Sequence, residues 1–160
     1  MAEPMRTSWG KSLDEAVAKW RRRNRAEKRL IVEALILLGL ARIGVLLLPF
    51  RVLARSIGNP VKEEHQTSPP PADLKSARMI GEAVRAAAKY TPWESVCLPQ
   101  AVAAKWMLKR RDIPGVLYLG VMKDHTKPEK MAAHAWIKSG NMILTGAKGH
   151  RQYTVVSRFL

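Results

Sequence analysis

Trp93-Glu94-Ser95-Val96-Cys97-Leu98-Pro99-Gln100 contains the only cysteine in a chain of 160 residues. Tyr90-Thr91-Pro92-Trp93 interrupts the helical pattern upstream of it. Cys97, Ala101, Ala104 and Leu108 then recur at helical spacing, so the stretch predicts a loop turning into a helix that starts near Cys97 and ends about Arg111. Pro99 suits the first turn of that helix, where its missing N–H has no intrahelical partner anyway. Lys109-Arg110-Arg111 suits the negative end of the helix dipole. The reactive form of a cysteine is the thiolate, which the positive end of a helix favours. The unpaired backbone donors of the same first turn are where an oxyanion would be held. Taken alone, a single cysteine is more often a small buried hydrophobe than a nucleophile, so the reading needs a base.

The base is sought downstream, where the apolar period changes from 3.6 to 2 at Gly115. Residues 116–122, 131–138, 141–145 and 153–159 read as strands, and helices followed by an antiparallel meander give an α+β fold. Of the four histidines, His65 falls in a linker, and His125 and His150 fall in polar loops. Only His134 lies within an apolar strand, in Ala133-His134-Ala135-Trp136, with Trp136 on its face and able to exclude water. Singly, a strand histidine is more often a satisfied core residue than a base. The pair is stronger, because a helix start and a following strand can converge.

A two-residue turn at Ser139-Gly140 pairs Lys138 with Asn141, Trp136 with Ile143 and His134 with Thr145. Cross-strand neighbours lie ~5 Å apart, so whatever orients the imidazole belongs near Thr145, with Asn141 too far along the strand. No Asp or Glu follows Glu129. Thr145, a backbone carbonyl or Asp124 must therefore serve, or the dyad works alone. Trp93 is expected in core packing, with shaping of the oxyanion pocket as the alternative.

The N-terminal part is helical in pattern. Ser12 and Glu15 form a capping box, Leu13, Val17 and Trp20 follow at helical spacing, and Arg21-Arg22-Arg23-Asn24-Arg25 reads as a solvated basic face. Leu30 to Phe50 is the most apolar segment. Glu33 and Arg42 enclose eight uncharged residues, and eight more precede Arg51. A spanning helix wants about 20 largely apolar residues, so a buried core helix ending near Pro49 is expected, with peripheral membrane contact as the alternative. These residues define an N-terminal helical region, 1–60, followed by a Pro-rich linker, 61–72, stiffened by Pro69-Pro70-Pro71. The remaining domain spans 73–160. In it Asp73 caps a helix running to about Lys89, with Ala77, Gly81, Val84 and Ala88 as a narrow stripe for close packing.

The formal net charge is +15, which calls for an acidic partner. No zinc-finger spacing, RNP-type aromatic motif or G-x-x-G loop gives the charge a reading geometry, so no nucleic acid is expected. A single cysteine excludes an intramolecular disulfide. With no signal-peptide layout at Met1-Ala2-Glu3-Pro4, a cytoplasmic protein is expected.

Cys97-Leu98, then Arg110-Arg111-Asp112-Ile113-Pro114, Leu119-Gly120-Val121, Ala133-His134-Ala135-Trp136 and Leu144-Thr145-Gly146 together resemble the lasso-peptide B-type leader peptidases. These are transglutaminase-like cysteine proteases of the microcin-J-processing type. The resemblance covers about residues 73–160, and the N-terminal region looks like the split form that lacks a leader-recognition domain. It implies a papain-like or transglutaminase-like core, with a Cys-bearing helix packed on an antiparallel sheet, Cys97 as nucleophile and His134 as general base. It also implies removal of the leader from a ribosomally made precursor, with a separate leader-recognition protein and a lasso cyclase as partners. The family pattern has an Asp at the third catalytic position, where this sequence offers Thr145. ATP dependence is implied by the resemblance alone; no P-loop is present, and no cofactor is expected in this chain. Two other expectations stand beside this one: a non-catalytic adaptor that binds precursor or cyclase through a basic surface, and acyl transfer to an amine instead of water.

Overall fold

The structure is a computed structural model that describes residues 17–62, 69–91, 97–123 and 131–160. The Ser12–Glu15 capping box, His65, Trp93, Asp124 and His125 lie outside the described residues.

Residues 17–22 are helical, and the helices α1 (Arg25–Leu47), α2 (Phe50–Ile57), α3 (Pro71–Ala88) and α4 (Cys97–Lys109) follow. Four strands follow: β1 (Val116–Lys123), β2 (Met131–Ser139), β3 (Met142–Thr145) and β4 (Thr154–Phe159), with a short 3-10 turn at His150–Gln152. The α+β class follows from this order. Asn24 caps α1, its side chain accepting from the Glu27 N–H at 2.8 Å. At α3 the expected Asp73 cap is replaced: Pro70 holds the cap position and Pro71 opens the helix, leaving Asp73 within the first turn. A proline there fixes φ for the helix and loses no intrahelical bond.

α4 is the centre of the molecule. Ala101, Val102, Ala103, Ala104, Met107 and Leu108 are all fully buried, because α4 packs on the sheet with one side and on α1 and α3 with another. Its small residues let the layers approach. α3 also lies on the sheet, over β3. At Gly81 a Cβ would come within 2.9 Å of the Leu144 carbonyl oxygen, so only glycine permits that contact. α1 covers α3 and α4 and forms the outermost layer. One hydrophobic core therefore runs from Ile31 in α1 to Phe159 in β4.

The sheet order is β3-β2-β1-β4, antiparallel throughout. Only β1, β2 and β3 form the expected meander; β4 returns to the far side of β1. Residues 59–61 then cover the outer edge of β4. The Asn59 N–H donates to the Leu160 carbonyl, and the Leu160 N–H donates back to Asn59. The Val61 N–H donates to Arg158. The start of the expected linker is thus paired chain that blunts an open edge.

The hairpin register also differs from expectation. The turn is Gly140-Asn141, not Ser139-Gly140, and Ser139 pairs with Met142. Lys138 pairs with Ile143 and Ile137 with Thr145, with a bulge between them that leaves Leu144 as the extra residue. Gly140 has φ +56, a left-handed conformation that glycine adopts without strain. The Ser139 hydroxyl, instead of serving the turn, donates to the Pro114 carbonyl at 2.6 Å and is buried.

Candidate active site

Cys97 lies on α4, which is described from this residue onward, in the helix that the sequence predicts. Its side chain is half-buried and packs against the main core, on the helix side of the sheet. Ala101, Ala104 and Leu108 continue the inward stripe that it heads.

His134 lies in β2 opposite Gly120 of β1. Alternation along the strand separates it from Ala135 and Ile137, which join the helix-side core, and places it with Trp136 on the outer face. Gly120 leaves room there: a Cβ at that position would lie 2.9 Å from the Trp136 ring and 2.8 Å from the Tyr153 Cβ. A row of rings fills the space. Tyr118 stacks on Trp136 with centroids 5.6 Å apart, Trp136 on His134 at 5.8 Å, and His134 tilts against Tyr153 at 5.0 Å. The ammonium of Lys138 and the guanidinium of Arg158 close the Tyr118 end. His150, expected in a polar loop, sits against Trp136 at 5.8 Å and is held by a 2.7 Å contact from its Nδ1 to the Ala147 carbonyl.

The imidazole is oriented by the backbone. His134 Nε2 lies 2.8 Å from the Gly146 carbonyl oxygen. A carbonyl only accepts, so Nε2 carries the proton, and in the neutral ring the lone pair rests on Nδ1. Gly146 reaches this position with φ +73. A Cβ there would fall 2.3 Å from the Ala135 carbonyl oxygen, so the close approach to β2 requires glycine. Thr145, expected to orient the ring, pairs with Ile137 instead, and its buried Oγ1 has no hydrogen-bond partner among the described residues. Two register differences are the cause: the turn at Gly140-Asn141 moves Thr145 from His134 to the level of Trp136, and the bulge at Leu144 moves it one residue further, to Ile137.

α4 packs on β2, so the fold brings together the two elements that carry Cys97 and His134. The side chains themselves face different layers, the thiol toward the helix-side core and the imidazole toward the outer aromatic row. Among the described residues, no hydrogen bond or ring contact joins them. Gly146 and Tyr153 are the neighbours of His134 to which the sequence reading gave no role beside it. A glycine immediately after a predicted strand was the available signal for Gly146, and for Tyr153 there was none short of knowing that β4 pairs with β1.

A profile of the transglutaminase-like superfamily matches residues 44–158. The chain belongs to the transglutaminase-like superfamily. The match covers α2, α3, α4 and every strand, and it takes in the last turn of α1. Transglutaminase-like proteins commonly include cysteine proteases and transferases. A comparison with curated proteins and one with solved structures gave no match. No group of three or more His, Cys, Asp or Glu side chains able to hold a metal ion occurs among the described residues.

Proposed function

We propose that this transglutaminase-like chain is a cysteine peptidase that removes the leader from a lasso-peptide precursor. Once precursor binding brings the thiol and the imidazole to one side, Cys97 Sγ attacks the scissile carbonyl carbon, its proton passes to His134 Nδ1 and then to the leaving amine, and water hydrolyses the thioester. A separate leader-recognition protein delivers the precursor, and a lasso cyclase takes the product; no step needs a cofactor. The observation that carries the reading is membership of a thiol-enzyme superfamily in a chain whose one cysteine lies on the central helix. It is supported by an imidazole whose Nε2–H is already engaged by Gly146, which leaves Nδ1 as the basic atom. The resemblance over residues 73–160 supplies the substrate class.

The test is incubation of the full chain with the precursor encoded beside its gene, with and without the leader-recognition protein, read by mass spectrometry. Wild type is expected to release the leader, while Cys97→Ala and His134→Ala are expected to bind precursor without releasing it. Cleavage by Cys97→Ala would sink the proposal. A product joined to an amine, in place of one carrying a free carboxylate, would identify transfer and exclude hydrolysis.

The opposite facing of the thiol and the imidazole favours a second reading, a non-catalytic adaptor that holds precursor or cyclase through its basic surface. That reading predicts equal precursor binding by wild type and Cys97→Ala, with no cleavage by either.

A further inference from the structure

The outermost helix, α1, is apolar on both sides. Its most apolar stretch has a mean hydropathy of 2.4 and is long enough to cross a membrane, yet only 33% of that stretch is buried. The sequence predicted a buried core helix, and half of the circumference meets that expectation: Ile31, Ala34, Leu37, Leu38 and Ala41 lie in the core. The other half does not. At ~100° per residue, Val32, Ile36, Leu40, Ile43, Leu46 and Leu47 fall within one stripe about 120° wide. Their exposures run from 46% at Val32 to 76% at Leu47. The apolar surface continues past the helix end through Leu48, Phe50 and Val52, all more than 40% exposed. Single exposed aliphatic residues are ordinary on a protein surface; a contiguous row of this length marks a binding surface.

Charge identifies the occupant. Toward the N-terminus the same stripe continues through Arg25, Lys28 and Arg29, and no acidic residue of α1 falls on it. Glu33 lies at its margin and is neutralised by Arg111 at 2.6 Å and Arg110 at 3.8 Å. Beside the stripe, Lys28, Arg29 and Arg110 rim a shallow groove whose floor is Val32, Ile36 and Leu37. Past the C-terminal end, Arg51 and Arg55 are exposed on α2. An apolar stripe with cations at both ends and along one margin complements the surface of an anionic bilayer, where acyl chains meet phosphates. A second copy of this chain would bring the same cations face to face.

We propose that the outer face of α1 docks in the plane of an anionic lipid surface. The helix lies flat, with Val32, Ile36, Leu40, Ile43 and Leu47 among the acyl chains and the arginines at headgroup level. It does not span, because its inner face is committed to α3 and α4. The sheet, on the far side of α3 and α4, then faces the aqueous phase. This reading is independent of whether Cys97 is a nucleophile.

The test is flotation of the full chain with vesicles of phosphatidylcholine alone or phosphatidylcholine with one-third phosphatidylglycerol. Binding is expected to the anionic vesicles only, weakening as salt rises toward ~1 M, where the screening length is about 3 Å. Ile36→Glu/Leu40→Glu/Ile43→Glu is expected to lower the binding roughly tenfold or more with an unchanged circular dichroism spectrum. Ile36→Ser/Ile43→Ser, a milder pair, is expected to fall between. Four results would overturn the proposal: no flotation of wild type, flotation of the triple variant equal to wild type, retention of the bound protein in alkaline carbonate, or a lipid-free dimer that the triple variant dissociates.

Discussion

Lys105 is a buried cation in the middle of α4, and replacing it with methionine should reverse its effect on stability between neutral and alkaline pH. The side chain is 7% exposed, and its Nζ donates to the Gly115 carbonyl at 2.6 Å. Burial, and then the neighbouring Lys109, lower its pKa from the usual 10.5 to about 8. That difference corresponds to about 3 kcal/mol between the protonation states. The unfolded chain holds the proton up to 10.5 and the folded chain releases it near 8, so folding stability rises with pH across that window. It is complete above the unfolded value and is lost as pH falls through the folded one. Lys105→Met removes the charge and also the bond to Gly115, the latter worth about 1 kcal/mol. At about pH 7 the variant should therefore be more stable than wild type by roughly 2 kcal/mol, the charge effect less the lost bond. Above 10.5, where wild-type Lys105 is neutral and keeps its bond, the variant should be less stable by about 1 kcal/mol. Urea denaturation of both proteins at matched pH values measures this, and the difference between them cancels the other groups that titrate there. A stability difference that stays constant with pH would refute the account of Lys105 as a cation held in the core.

Two further outcomes follow from named contacts. The Arg111 guanidinium grips both oxygens of Glu33, at 3.1 and 2.6 Å, and this hydrogen bonding holds the Glu33 carboxyl below its ordinary value. Glu33→Gln should cost about 1 kcal/mol at neutral pH. The contribution exists above the unfolded carboxylate pKa and disappears as pH falls through the lowered folded value, so an acid titration of stability should show it lost in wild type and absent in Glu33→Gln. Gly146→Ala must place a Cβ against the Ala135 carbonyl in a left-handed backbone. It should lower stability by about 1–3 kcal/mol, and it should change the tautomer of His134 seen by nitrogen NMR. An unaltered His134 spectrum in a destabilised Gly146→Ala would remove the orienting role of that carbonyl.

The parts of the site that were legible in the sequence are those specified by neighbours in the chain. The helix that carries Cys97 follows from Pro99, tolerated only in the first turn, and from the stripe of Cys97, Ala101, Ala104 and Leu108. The strand around His134 follows from its period of two. A backbone carbonyl near Thr145 was among the expected imidazole partners, but the residue named, Thr145, is one away from Gly146, because the turn was read as Ser139-Gly140 and a strand bulge has no local sequence marker. The extra residue, Leu144, is the one over which α3 lies closest, its backbone meeting Gly81.

The sequence by itself determined the strands, the helices beside them, the basic balance and the positions of Cys97 on a helix and His134 on a strand, since each depends on composition or on a period within one segment. Tertiary structure alone decided three things. It decided which side of the sheet the helices cover, and with that the separation of the thiol and the imidazole, because alternation assigns His134 and Ala135 to opposite faces without saying which is inner. It decided that β4 lies beside β1, which brings Tyr153 to His134 and depends on pairing between distant parts of the chain. And it decided that half of α1 stays exposed, since a helix apolar on both sides carries no mark of which half its neighbours have room to bury.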